Sequence, residues 1–167
     1  MKHVTDFQSL EPDRQTGARK VLAALDNGIN TATGTVIAAV AQTDKGFYLG
    51  VTLWLSGTSM AHAEFAAITE AVSAGDREVH SLYLAMRRKD GADPGYVTPC
   101  GSCRQLIVDL ATFTARPITL YSLNDALDGI QIIEHTELLP FAFGSQTLRR
   151  AGEAHRAASA HAHASVQ

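Results

Sequence analysis

Two short stretches carry side chains able to hold a metal ion and move a proton. Met60-Ala61-His62-Ala63-Glu64-Phe65 supplies an imidazole and, two residues on, a carboxylate. Pro99-Cys100-Gly101-Ser102-Cys103-Arg104-Gln105 supplies the only two thiols of the chain, in a C-x-x-C spacing. One imidazole and two thiolates make three zinc ligands and leave the fourth tetrahedral position open, as catalytic zinc sites do. His62, Cys100 and Cys103 are therefore the candidate Zn2+ ligands. Glu64 is the candidate catalytic carboxylate, close enough to handle the proton of a water without binding the metal.

H-A-E followed by P-C-x-x-C suits hydrolytic removal of an amine from an aromatic ring. Water must attack a ring carbon, and bulk water is too weak a nucleophile at neutral pH. Zinc lowers the pKa of a bound water to roughly 7. A carboxylate must then take the proton, protonate the ring nitrogen and help the amine leave as ammonia. The spacing predicts His62 and Glu64 in the first turn of one helix, and Cys100 and Cys103 in the first turn of another. Helix N-termini carry partial positive charge and unsatisfied N–H groups, which stabilise thiolates. Pro99 suits a helix start at Cys100, because it has no N–H to satisfy.

Two other readings of these residues stay open from sequence alone. A structural zinc site needs four protein ligands, and His80 or His135 could be recruited as the fourth, though neither sits in a ligand-like context. A redox C-x-x-C also opens a helix after a strand, but it leaves His62-Ala63-Glu64 without a role. A zinc-stabilised binding module without turnover has no use for a carboxylate beside an open metal position.

The rest of the chain must position these groups. At 167 residues, with 46% hydrophobic and 19% charged residues, it reads as one globular domain. The formal net charge of −3 argues against a nucleic-acid partner. No apolar run is long enough to span a bilayer and the N-terminus has no signal-like segment, so a cytoplasmic protein is expected. Two cysteines in one C-x-x-C suit metal or redox use better than a structural disulfide.

Residues 1–10 are polar and are expected on the surface. A helix is predicted from Pro12 to Asn27, with Ala18, Val21, Leu22 and Leu25 on one face, Ser9 as N-cap and Gly28 past its end. Val36-Ile37-Ala38-Ala39-Val40 reads as a strand, Thr43-Asp44-Lys45-Gly46 as a hairpin turn and Phe47–Leu55 as the pairing strand. Ala61–Ala74 reads as a helix buried on more than one side, ended by Gly75. Strands are expected at Ser81–Met86, Ile118–Leu123 and Ile130–Ile133. Between the first two lie a polar loop through Arg87–Gly95 and a helix from Cys100. This order predicts an α/β fold: a three-layer α/β/α sandwich around one mixed five-stranded sheet. Residues 1–144 are expected to form the single zinc-dependent deaminase domain. Residues 145–167 form an Ala- and His-rich tail, partly helical or disordered.

On these residues the chain resembles the cytidine deaminase family over roughly 12–143. The resemblance rests on His62-Ala63-Glu64, on Pro99-Cys100-Gly101-Ser102-Cys103-Arg104-Gln105 and on Glu137-Leu138-Leu139-Pro140-Phe141-Ala142-Phe143. It implies the α/β/α sandwich, zinc, and a nucleoside as small-molecule substrate. It also implies a homo-oligomer, with a homotetramer favoured over a dimer. Short-chain members of the family have Cys in place of His62, and Arg after the glutamate, where this chain has Phe65. The two changes fit together on charge. Three thiolates with Zn2+ sum to −1, which an arginine offsets, whereas two thiolates with neutral imidazole sum to zero.

A second departure concerns substrate. The family carries an Asn-x-Glu ribose motif on the strand before its metal helix, and the aligned stretch here is Val51-Thr52-Leu53-Trp54. The family's aromatic residue on the first strand is also replaced, around Gly34-Thr35. Blasticidin-S-type deaminases likewise lack the full motif. The expected function is zinc-dependent hydrolytic deamination of a cytosine nucleoside, cytidine or deoxycytidine, to the uracil product. The alternative is the same chemistry on a modified nucleoside, a nucleoside antibiotic or another aminated heterocycle. Trp54, Ala63, Phe141 and Phe143 are the candidate substrate contacts.

Overall fold

Buried apolar residues follow one another without a break at Ala38–Ala41 and Leu82–Ala85, so both faces of one sheet must be covered. The computed structural model describes residues 2–4, 6–57, 59–92, 95–144 and 146–164. Expectations touching Met1, Thr5, Thr58, Asp93, Pro94, Ser145 and residues 165–167 lie outside the described residues. In chain order the elements are β1 (Lys2–Val4), α1 (Pro12–Ala24), β2 (Ile29–Asn30), β3 (Val36–Gln42), β4 (Phe47–Val51), β5 (Leu53–Ser56) and β6 (Ser59–Ala61). They continue with α2 (Ala63–Ser73), β7 (Ser81–Arg87), α3 (Gly101–Thr114), β8 (Thr119–Leu123), β9 (Ile130–Glu134), α4 (His135–Leu138) and α5 (Gln146–Ala164).

The main sheet runs β1-β9-β8-β7-β3-β4, and β7–β8 is its parallel pair. Strands β4, β3, β7, β8 and β9 are the five expected, and β1 adds a sixth at the edge. Ala39, Ala41, Leu82, Leu84 and Leu120 face α2 and α3 and form one core with Ala67, Ile68, Ala71 and Ile107. Ala38, Val40, Tyr83, Ala85 and Tyr121 face the other way and pack on Ala18, Val21 and Ala24 of α1. These are the three layers. At Gly50 on β4 an added Cβ would lie 2.2 Å from the Ala63 carbonyl oxygen and 2.3 Å from the Ala67 nitrogen. Only glycine lets the first turn of α2 sit this close to the sheet.

Several expected boundaries move, each for a local reason. Residues 2–4 pair with β9, and Phe7 and Leu10 are buried, so this segment belongs to the fold and is not a polar surface strand. Helix α1 is capped by Glu11 and not by Ser9. Pro12 holds the residue before it extended and fixes the first helical position. The helix ends at Ala24, and a 3-10 turn carries the chain to Asn27.

The single strand expected over Phe47–Leu55 divides at Thr52. The Thr52 hydroxyl accepts from the Ile37 N–H at 3.1 Å and donates to the Ile37 carbonyl at 3.2 Å. The Thr52 N–H also donates to the Ile37 carbonyl at 2.8 Å, while the Thr52 carbonyl accepts from the Ile29 N–H at 2.9 Å, and from there β5 joins β2 and β6 in a second, three-stranded sheet. Because Ala61 is taken by β6, α2 begins two residues later than expected, with His62 as its N-cap.

Helix α5 lies along α3. Its Arg156 side chain bonds the Phe113 carbonyl oxygen and its His155 ring stacks on Phe113 at 5.3 Å.

Candidate active site and metal centre

The two helix starts facing one another place the donor atoms. His62 is the N-cap of α2, and Cys100 is the N-cap of α3, with Cys103 in the first turn of α3. His62 Nδ1 lies 3.6 Å from Cys100 Sγ and 3.5 Å from Cys103 Sγ, and the two sulfurs are 3.5 Å apart. Tetrahedral zinc with ordinary Zn–S and Zn–N bonds sets such edges at about 3.6–3.8 Å. A disulfide is excluded at this separation, and both cysteines are free. Among the described residues, these three donors form the group whose ligand atoms lie within 4.8 Å of one another. His80 and His135, the fourth ligands considered from sequence, are not in it. The donor triangle therefore fits zinc with a position left open.

Glu64 follows in the first turn of α2 and is buried, at 4% exposure. Cys103 is fully buried. Burial first, and then the neighbouring Glu64 carboxylate, push the Cys103 thiol well above its ordinary range. A dication beside it reverses that balance and holds the thiolate, so metal uptake and proton release go together. The helix holding the sulfurs is braced from below. Arg104 Nε donates to the Pro99 carbonyl at 2.7 Å, and its Nη2 reaches Thr98 Oγ1 at 3.4 Å. Arg104 is thus tied to the segment that carries Cys100.

A cavity of about 260 Å³ opens over this cluster, with Glu64, His62 and Cys100 at one end and Ile37, Thr52, Trp54 and Met60 along its wall. Trp54 and Ala63 both line it, together with His62, Glu64 and Cys100. Phe141 and Phe143 do not line it. Their exposures are 99% and 78%, and the Phe143 backbone is clamped by Gln105 through bonds of 2.9 and 3.1 Å. Sequence reading missed Asn30, Thr33, Ile37, Met60 and Thr98 as wall residues. Only the altered stretch around Gly34-Thr35 hinted at them. A larger cavity of about 710 Å³ lies at the far end of β3, lined by Arg14, Asp44, His80 and Arg116. It holds none of the metal donors, and Arg116 is paired there with Asp44 at 2.8 Å.

A family model for the cytidine and deoxycytidylate deaminase zinc-binding region matches residues 12–115, a span that contains all three donors and Glu64. A cytidine deaminase of Sporosarcina psychrophila is 32% identical over 117 residues, covering 70% of this chain and 79% of that protein. The chain belongs to the cytidine deaminase family. It is a hydrolytic enzyme acting on C–N bonds, with zinc as its cofactor. Solved structures share the fold. The crystal structure of cytidine deaminase from Burkholderia pseudomallei superposes with a TM-score of 0.67 at 22% identity, covering 80% of this chain and all of that one. That of cytidine deaminase from Mycobacterium tuberculosis gives 0.61 at 20% identity, covering 81% of this chain and all of that one. Among the described residues no helix of this deaminase is long and apolar enough to cross a membrane.

Proposed function

We propose that the enzyme removes the exocyclic amino group of a cytosine nucleoside, cytidine or 2′-deoxycytidine, giving the uracil nucleoside and ammonia. The observation that carries this reading is the buried Glu64 carboxylate beside a three-donor metal cluster on the floor of a nucleoside-sized cavity. His62, Cys100 and Cys103 hold the metal. Zinc, when bound, supplies the Lewis acidity that makes water a nucleophile at neutral pH.

Glu64 takes the proton of the attacking water and delivers it to ring N3, so the pyrimidine accepts the new C4–O bond. It then passes the second water proton to the exocyclic nitrogen, the C4–N bond breaks, and ammonia leaves as the C4 carbonyl forms. One water enters and one ammonia departs. Ala63, fully buried between the ligand and the acid–base residue, keeps the floor of the cavity narrow. Trp54 offers an aromatic wall for the substrate. Ile37 and Trp54 add apolar surface beside the ring.

Residues 1–144 are read as the deaminase domain and the remainder as an appended C-terminal segment. The enzyme is read as a cytoplasmic homotetramer acting on small molecules. Leu53, Leu55, Met60, Phe65, Phe141 and Phe143 are all exposed, more apolar area than isolated surface residues explain. In an assembly, Phe141 and Phe143 would reach a neighbour's cavity, since they do not reach their own.

A second reading keeps the reaction and changes the substrate to a modified nucleoside, a nucleoside antibiotic or another aminated heterocycle. Thr52 and Trp54 favour it, since they stand where the resemblance leads one to expect sugar-binding groups. Ammonia release from cytidine, 2′-deoxycytidine, cytosine, 5-methylcytidine, guanine and blasticidin S separates the two. Cytidine or 2′-deoxycytidine is expected to turn over fastest, by about one zinc per chain in a particle of four chains. Turnover confined to blasticidin S or guanine selects the second reading.

A further inference from the structure

The turn that carries Asn30, Thr33 and Thr35 forms one side of the cavity over the metal donors, and its side chains fix one another. Asn30 Oδ1 accepts from the N–H groups of Ala32 and Thr33, both at 3.0 Å, the bonds of an Asx turn. Its Nδ2 donates to Thr33 Oγ1 at 2.9 Å and to the Thr35 carbonyl at 2.6 Å. The Thr35 N–H donates to Thr33 Oγ1 as well, at 3.2 Å. Gly34 between them takes a φ of +69°, which glycine adopts without strain, and the chain then enters β3. Asn30 thus has no bond left to offer. Thr33 Oγ1 has accepted twice, so both of its lone pairs are used and only its proton is free. Among the described residues the Thr35 hydroxyl has no partner at all.

The other polar side chains of the wall are less available. The Thr52 hydroxyl both donates to and accepts from the Ile37 backbone. The Trp54 indole N–H is unpaired but enclosed by protein. Thr98 Oγ1 accepts from Arg104 and belongs to the segment that carries Cys100, at the metal end. Glu64 is the one carboxylate among the described lining residues, and it serves the reacting carbon. Away from the metal, the free donors of the wall are therefore the hydroxyls of Thr33 and Thr35. A donor without an acceptor is where a ligand oxygen gains a bond.

We propose that Thr33 and Thr35 are specificity-determining residues of this deaminase, their hydroxyls donating to a sugar oxygen of the substrate. The direction of the bond is set by the turn. Asn30 and the Thr35 N–H fill the lone pairs of Thr33 and leave it only as a donor, so the sugar oxygen accepts. Recognition then comes from the turn before β3, and not from residues 51–54, where the resemblance leads one to expect sugar-binding groups. The inference rests on the cytosine reading of the site given above.

The test measures kcat/KM for cytidine and its 2′-deoxy, 3′-deoxy and 5′-deoxy analogues with the zinc-loaded parent, Thr35→Val and Thr35→Ser enzymes. In the parent, at least one deoxy analogue is expected to fall more than about threefold below cytidine, and about tenfold if both hydroxyls donate, the yield of neutral hydrogen bonds. That gap is expected to shrink by at least about twofold in Thr35→Val, the lower end for one such bond, and to shrink less in Thr35→Ser, which keeps the hydroxyl. Valine matches threonine in shape and the Thr35 hydroxyl bonds nothing among the described residues, so the fold is kept. Each gap is also a ratio on one preparation, insensitive to the folded fraction. Deoxy analogues all within about threefold of cytidine in the parent overturn the proposal and leave the cytosine reading intact. So does a gap that shrinks by less than about twofold in Thr35→Val, or one that shrinks as far in Thr35→Ser. Loss of all turnover in zinc-loaded Thr35→Val overturns it too, because the hydroxyl then does more than bond a sugar. No ammonia from any of the compounds with the zinc-loaded parent overturns the cytosine reading and the proposal with it.

Discussion

Glu64→Gln is expected to lower kcat by about 10²–10⁴-fold, the range for losing a positioned general acid–base group. Glutamine matches glutamate in size, so α2 keeps its packing and the three donors keep their triangle. Zinc content and melting temperature are therefore expected to stay at parent values while ammonia release collapses. Full activity in a zinc-loaded Glu64→Gln protein removes this carboxylate from the reaction. The burial of Glu64 makes the substitution sharp, because no bulk solvent stands at the same position to take over its proton.

Cys103→Ser is expected to abolish measurable turnover through the metal. Outer residues that merely orient ligands change metal affinity by about 10–100-fold, so loss of a ligand at the centre of the triangle exceeds that range. The protein is still expected to fold. The core that carries α2 and α3 is built from Ala67, Ile68, Ala71, Ile107 and the sheet, and none of these touches the donors' chemistry. Circular dichroism near the parent spectrum together with zinc content near zero is the expected pair of results. Retained zinc at one per chain would mean another donor completes the site. The same geometry sets a pH trend in the parent protein. Burial and Glu64 hold the Cys103 thiol in its protonated form in the absence of metal. Zinc must displace that proton, so apparent zinc affinity is expected to rise with pH and fall as pH drops.

What could be read from residue order follows from how local each feature is. The metal donors were legible because few residue types bind zinc and their short-range spacings fit helix starts. The central strands were legible because both faces of β3, β7 and β8 are buried, which produces short apolar runs. The small sheet was not legible. It starts where the Thr52 carbonyl turns to the Ile29 N–H while the Thr52 hydroxyl takes the Ile37 N–H, and nothing in Phe47–Leu55 marks that one threonine as different. Nor was β1, whose three residues gain their structure from partners at Ile130, Gln131 and Ile132 at the other end of the chain. The cavity wall was the least legible part. Asn30 reads as an ordinary loop residue until its four bonds to Ala32, Thr33 and Thr35 are seen.

The donor triangle joins positions of the chain that are 38 residues apart. An ion seated there acts as a staple as well as a reagent. Closing a loop of that length restricts the unfolded chain by up to about 4 kcal/mol on the entropic account used for covalent cross-links. The two stapled helices rest on the same face of the sheet, so the fold brings them together before the ion arrives and the ion then locks the seam between them. Metal supply thereby sets how long this protein survives in its working shape, not only how fast it turns over.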